Sequence, residues 1–144
     1  MVKRAPAKAS GRVFYLPHCA VVHKDAETTK RVVYDVSARD HEAAPSLHEC
    51  LHAGPPLQNK LWGVLTCCHF HLVLVAGDLQ RVFLQVQINE SDREALRFHW
   101  SVKKTAKEVE TLRFTRVVFG LAPSLFLLNG VIQQHVEEFR DEIP

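Results

Sequence analysis

Few residues in this chain combine a reactive type with a telling position, and Asp78 is the foremost. It follows five consecutive apolar residues, Leu72-Val73-Leu74-Val75-Ala76, and one glycine. A carboxylate is costly to bury unless it is paired, hydrogen-bonded or bound to a cation, whereas at a strand end it can reach an open cleft. Spacing leaves two readings of Asp78, a functional carboxylate or a strand-terminating turn. If the chain bends after Leu79, Phe83 lies beside the cleft that Asp78 enters.

Other reactive types are less well placed. Cys67, Cys68, His69 and His71 have the composition of a zinc site. Neighbours on a helix or strand point in different directions, however, and do not easily surround one ion. Ser124 precedes an apolar helical pattern without the Gly-x-Ser-x-Gly context of a nucleophile elbow. Arg31 stands near Lys24 and Lys30, a basic tip that can grip phosphate or simply be solvated. Phe119-Gly120 can be a tight turn, or it can let a flat ligand approach the backbone. No Walker pattern and no Gly-x-Gly-x-x-Gly occurs.

The elements that must carry these residues follow from periodicity. A basic tail over 1–12 is expected to be disordered, and one domain is expected over 13–144. Val13-Phe14-Tyr15-Leu16, resumed at Ala20-Val21-Val22, and Arg31 to Val36 have the β-branched and aromatic content of a hairpin. Beyond Gly54-Pro55-Pro56, Leu57, Leu61, Val64, Leu65 and Cys68 recur at helical spacing. The uncharged run from Leu72 to Ala76 predicts a central strand covered on both faces. Glu90 to Arg93 reads as a polar turn. Ala95 to Trp100 and Thr111 to Val118 read as strands joined by the basic loop Lys103-Lys104-Lys107. A last helix places Leu121, Leu125, Leu128, Ile132, Val136 and Phe139 on one face. The expected class is α+β (mixed α/β), an antiparallel-rich sheet packed with two main helices.

Bulk properties narrow the function only slightly. A chain of 144 residues has the size of one domain, with one core. An apolar content of 47% and a charged content of 24% argue against disorder, and a net charge of +2 is too small to demand a nucleic-acid partner. No apolar stretch reaches membrane-spanning length, and the first apolar run follows residues too polar for a signal-peptide core. Two of the four cysteines are adjacent, which suits reduced thiols better than a disulfide framework. An intracellular location is therefore expected, with cytoplasm and nucleus not distinguished.

The order of the pieces is more specific than any one of them. It runs His18-Cys19-Ala20-Val21-Val22; Thr28-Thr29-Lys30-Arg31-Val32-Val33-Tyr34-Asp35-Val36-Ser37-Ala38; Gly54-Pro55-Pro56-Leu57; Asp78-Leu79-x-x-x-Phe83-x-Gln85-Val86; and Phe119 to Asn129. From about Tyr15 to Phe139 this resembles the reverse transcriptase, an RNA-directed DNA polymerase, of BEL/Pao-type long-terminal-repeat retrotransposons. The resemblance implies the fingers and part of the palm of a DNA/RNA polymerase-like fold. It assigns Arg31, with Lys30 as a weaker basic candidate, to the triphosphate of an incoming deoxynucleotide. It makes Asp78 the first catalytic, metal-binding aspartate, places the Leu79 carbonyl beside the same Mg2+, and gives Phe83 the crowding of the sugar 2′ position. It sets Phe119 and Gly120 near the nucleotide.

That chemistry uses two magnesium ions, each requiring close oxygen ligands. The family's other two aspartates lie in an aromatic-x-Asp-Asp hairpin, and no Asp-Asp pair occurs in this sequence. The resemblance thus implies a fragment truncated before that hairpin, inactive in isolation and without stably bound Mg2+. Leu125 stands where the family usually has proline, and His48 where a Ser-Leu-Asn pattern would place asparagine. Two alternatives remain open, a nucleic-acid-binding or protein-interaction module without catalysis, and a piece of a longer active polyprotein. RNA or DNA primer-template, a deoxynucleoside triphosphate, or another copy meeting an exposed sheet edge are the expected partners; a membrane is not.

Overall fold

The computed structural model describes residues 1–9, 11–22, 30–101 and 108–142, with the side chains of residues 22 and 30 excepted. The loop of Lys103, Lys104 and Lys107, the hairpin tip at Lys24, and the side chain of Lys30 lie outside the described residues. The described residues form a mixed α/β fold with antiparallel sheets.

A three-stranded sheet has the order β1 (Val2–Arg4), β5 (Val109–Phe114), β4 (Arg97–Ser101), all antiparallel. Its register sets Val2 opposite Phe114 and Phe98 opposite Leu112. A second sheet is the hairpin β2 (His18–Val22) and β3 (Lys30–Tyr34), with Val21 opposite Arg31. The segment that enters β2 fastens to β4. The Leu16 N–H donates to the Arg97 carbonyl at 2.7 Å, and the Arg97 N–H donates to the Phe14 carbonyl at 3.2 Å. That parallel bridge is why Val13-Phe14-Tyr15-Leu16 joins the larger sheet instead of extending the hairpin.

The amino terminus departs from the expected disordered tail. Val2–Arg4 pair with β5, the Thr115 N–H and hydroxyl each donate to the Met1 carbonyl at 3.0 Å, and Arg97 Nη2 donates to the Pro6 carbonyl at 3.1 Å. Strand edges carry backbone groups that need partners, and this short segment supplies them along β5.

The main core gathers Leu16, Val36, Leu47, Leu96, Phe98, Phe114, Val118 and Leu121. Tyr34 packs edge-on against Phe98 and Phe114, with ring centroids 5.1 and 4.9 Å away, and its burial pushes the phenol pKa up. Beneath the sheet lies Glu94, 1% exposed, at the end of a short 3-10 helix over Glu90–Leu96 that replaces the expected turn. Arg97 Nε donates to Glu94 Oε2 at 2.7 Å, and Arg113 Nη1 donates to Glu94 Oε1. Because Arg97 and Arg113 are paired across β4 and β5, one carboxylate ties the register of that pair to the preceding helix.

A helix α1 (Leu47–Cys50) starts at a reciprocal cap. Ser46 Oγ accepts from the Glu49 N–H at 3.3 Å, and Glu49 Oε2 accepts from the Ser46 N–H at 2.9 Å. These bonds from Ser46, with Arg39 close by, hold the Glu49 carboxyl below the usual carboxylate range. Two longer helices follow, α2 (Leu61–Cys68) and α3 (Ser124–Glu138). α3 is tied in by the Ser124 hydroxyl, which donates to the Val118 carbonyl at 2.7 Å, and by buried Leu128. α2 begins four residues later than Leu57 and has no buried residue. Of the two main helices expected to pack on a sheet, only α3 contributes to the core.

The largest correction concerns Leu72 to Ala76. This run is not a strand, and Leu72 and Val75 are 106% and 87% exposed. A strand apolar on both faces needs neighbours on two edges and layers above and below it. The described residues supply none of these.

Two substitutions test this packing. Replacing Glu94 with Gln leaves two largely buried guanidinium groups without their counter-charge and is expected to cost about 3 kcal/mol in urea denaturation. The same change at exposed Glu90, 3.1 Å from Arg113, costs under about 1 kcal/mol. At Gly54, φ is +77° and a Cβ would fall 2.5 Å from the Phe126 ring. Gly54→Ala is therefore expected to lower stability by roughly 2–4 kcal/mol, as a left-handed penalty is added to overpacking. Acid should release the first turn of α1: with its pKa lowered by folding, Glu49 stabilises the cap at neutral pH and loses that effect as pH falls through its folded value. Faster hydrogen exchange at the Glu49 amide below the usual carboxylate range, with the α3 amides unchanged, is the expected readout.

Candidate functional site

Backbone pairing past the end of β5 brings together two residues that the resemblance assigns to the nucleotide site. The Ile88 N–H donates to the Thr115 carbonyl at 3.1 Å, and the Val117 N–H donates to the Val86 carbonyl at 3.0 Å. Arg116 Nη1 adds a 3.0 Å bond to the Gln85 carbonyl. A 3-10 turn over Val82–Gln85 is thereby held beside residues 117–119. Phe83 meets Phe119 edge to face, with ring centroids 5.6 Å apart.

Phe83 is half-buried against the second core cluster of Val86, Val117 and Leu128. Phe119 is 81% exposed, so one face of the aromatic pair is open. Gly120 follows with φ +94°, and a Cβ there would meet nothing within 4 Å. Glycine is favoured at this position by the backbone conformation alone, and the space beside it is free. Arg81, two residues after Leu79, has φ +53°, a left-handed conformation uncommon for a side chain of its size.

Among the described residues, Asp78, Leu79 and Arg31 make no bond to this pair. Asp78 and Leu79 are exposed in irregular backbone, and Asp78 makes no hydrogen bond or ion pair among the described residues. Asp78 thus does not end a buried strand as expected, because the run before it is neither a strand nor buried. Arg31 is exposed on β3, and no partner for its guanidinium occurs among the described residues. Lys30 lies at the start of that strand.

No group of three His, Cys, Asp or Glu side chains among the described residues converges to hold a metal ion. A lone exposed carboxylate does not fit a pair of magnesium ions, which need several oxygen ligands each. Cys67, Cys68 and His71 line an open groove of about 570 Å³ between α2 and residues 71–74. All four cysteines are free thiols. The Ser124 hydroxyl, at the start of α3, is committed to the Val118 carbonyl. No helix among the described residues is long and apolar enough to cross a membrane.

Sequence reasoning passed over Glu94. Its signal was present in the Glu94-x-x-Arg97 spacing, but the convergence of Arg113 from the next strand is a tertiary fact. No protein-family model matches the chain, and no curated protein is significantly similar to it.

The aromatic pair has a measurable weight. Phe119→Ala removes an edge-to-face contact and little buried area, so it is expected to cost about 1 kcal/mol. Phe83→Ala also opens the second core cluster and is expected to cost about 3 kcal/mol. Urea titrations of the two variants and the double variant give the coupling between the rings.

Proposed function

We propose that the chain is a reverse-transcriptase-like fragment, corresponding to the fingers and part of the palm of the BEL/Pao-type retrotransposon enzymes, and that these residues alone do not polymerise. The observation that carries the proposal is the Phe83–Phe119 pair. The resemblance assigns both residues to the nucleotide pocket, and they lie far apart in sequence yet in ring contact. Further support comes from Gly120 with its positive φ, and from the β2–β3 hairpin that presents Arg31 to solvent.

In this reading Phe83 and Phe119 form an apolar wall against which a deoxynucleotide sugar and base can rest. Arg31 is the phosphate-gripping cation, with Lys30 beside it in sequence, and Asp78 is the first of three carboxylates. Magnesium ions, when held by a full set of carboxylates, would activate the primer hydroxyl and stabilise the departing pyrophosphate. The single aspartate of the motif is why the fragment by itself is proposed to be inactive.

A second reading, a nucleic-acid-binding module without catalysis, draws on exposed Arg31 and on the basic residues Lys30, Lys103, Lys104 and Lys107 of the sequence. Its affinity for a primer-template duplex would fall steeply with salt, as phosphate contacts require.

Primer extension on a homopolymer template with magnesium and deoxynucleoside triphosphates tests the main reading. No extension is expected. Incorporation that disappears in Asp78→Ala would overturn the claim of inactivity while supporting the assigned role of Asp78. Binding of a labelled deoxynucleoside triphosphate that is unchanged by both Arg31→Ala and Phe83→Leu would overturn the pocket itself.

A further inference from the structure

The core of this fold has an opening that its own side chains do not fill. A cleft of about 410 Å³ lies between the 3-10 helix over Glu90–Leu96 and the start of α3. Its wall is apolar and is made by Leu51, Ile88, Ala95, Leu96, Leu121 and Leu127. Leu96 and Leu121 belong to the main core and are only 3% and 7% exposed, while Leu51, Ile88 and Ala95 pack partly against it. Interiors are normally packed with few voids larger than a water molecule, so a cleft floored by core residues is a formed concavity. Its volume lies at the small end of ligand pockets and suits a metabolite.

The polar lining carries charge of both signs, through Arg12, Ser91 and Asp92. The Phe14 N–H donates to the Glu94 carbonyl at 3.3 Å, which brings the segment after Arg12 beside the 3-10 helix. Asp92 is held by its N–H, which donates to the Asn89 carbonyl at 3.1 Å, and its Oδ1 accepts from the Ser91 hydroxyl at 3.1 Å. Arg93 Nε donates to the Ile88 carbonyl at 3.0 Å and so fixes the backbone of a wall residue. Arg12 and Asp92 line one cleft, yet neither has an ion-pair partner among the described residues, and they do not pair with each other.

This charge pattern selects a ligand. A purely anionic molecule would satisfy Arg12 and be repelled by Asp92, and a purely cationic one would meet the reverse. A small zwitterion satisfies both, its carboxylate accepting from the guanidinium and its ammonium donating to the aspartate. A branched aliphatic or aromatic group on the same molecule then covers the apolar wall.

We propose that the cleft binds a free α-amino acid with a large apolar side chain, of the leucine or phenylalanine kind. Arg12 holds the α-carboxylate, Asp92 holds the α-ammonium, and the leucine-lined wall takes the side chain. The inference does not rest on the nucleotide reading, since none of Arg31, Asp78, Phe83, Phe119 and Gly120 lines this cleft.

Titration of the isotopically labelled chain with L-leucine, followed by NMR, tests the proposal. Saturable shifts are expected at the methyl groups of Leu51, Ala95, Leu96 and Leu127, with a Kd on the order of 0.1–1 mM for so small a ligand. Two analogues separate the charges: 4-methylpentanoate lacks the ammonium, and 3-methylbutylamine lacks the carboxylate. Each is expected to bind roughly tenfold more weakly than leucine, the loss of one charge-assisted bond. Glycine, with both charges and no side chain, is expected to give no saturable shift. The variants remove these preferences one at a time. Asp92→Asn is expected to bind leucine and 4-methylpentanoate about equally, and Arg12→Gln to bind leucine and 3-methylbutylamine about equally. Both residues are exposed and unpaired among the described residues, and an unchanged urea midpoint verifies that each variant keeps the fold.

Shifts that centre on residues outside the cleft, or no saturable shift at all, would overturn the inference. So would 4-methylpentanoate binding to the wild-type chain as tightly as leucine, or a leucine affinity unchanged in both variants. Arg31→Ala is expected to leave leucine binding as it was, so failure of the cleft and failure of the nucleotide pocket are distinguishable.

Discussion

Glu94 accepts hydrogen bonds from two arginines on neighbouring strands, and much of the sheet's geometry follows from that single buried carboxylate. Arg97 and Arg113 are cross-strand partners whose like charges would repel if left alone. With Glu94 beneath them, the same pairing becomes attractive, and it is compatible with one register of β4 and β5. The arrangement is not free of cost. Arg113 Nε is buried without a hydrogen-bond partner among the described residues, so part of the desolvation of that guanidinium is not recovered. Such a network contributes more to choosing one arrangement than to net stability, because a slip of one residue would strand three charges.

The register so chosen propagates to the aromatic pair. β5 ends at Phe114, and its continuation pairs with residues 86–88 before turning at Gly120 into α3. The short turn bearing Phe83 is carried to Phe119 by that pairing. The hairpin of β2 and β3 is fixed separately, through Tyr34 against Phe98 and Phe114 and through the bridge from Tyr15 to Arg97. The aromatic pair and the hairpin bearing Arg31 are thus each anchored to the β4–β5 scaffold, while Asp78 sits on a described stretch, residues 72–79, that makes no hydrogen bond to it.

The contrast between the two halves of the chain's apolar content has a common physical origin. Apolar residues near β4, β5 and α3 are half a layer each and find one another. The run from Leu72 to Ala76 is apolar on both faces and finds no second layer among the described residues. Burial of a side chain is favourable only where something covers it, so the densest apolar sequence in the chain is also its most exposed.

Local sequence was sufficient for the hairpin at β2 and β3, for β4 and β5 to within a few residues, and for the existence of α3, although of the apolar face expected there only Leu128 is buried within the helix and Leu125 and Val136 stay about half exposed. A turn at Gly120 was one of the two readings left open by the sequence, because glycine takes a positive φ without steric cost. Tertiary structure alone decided that residues 2–4 complete the sheet, since their partner is β5 more than a hundred residues away. It alone brought Phe83 to Phe119, and Glu94 to both of its arginines. It also withheld from Leu72 to Ala76 the neighbours that strand propensity presupposes, leaving Asp78 in solvent: propensity states what a segment favours when covered, and only the assembled chain determines whether it is covered.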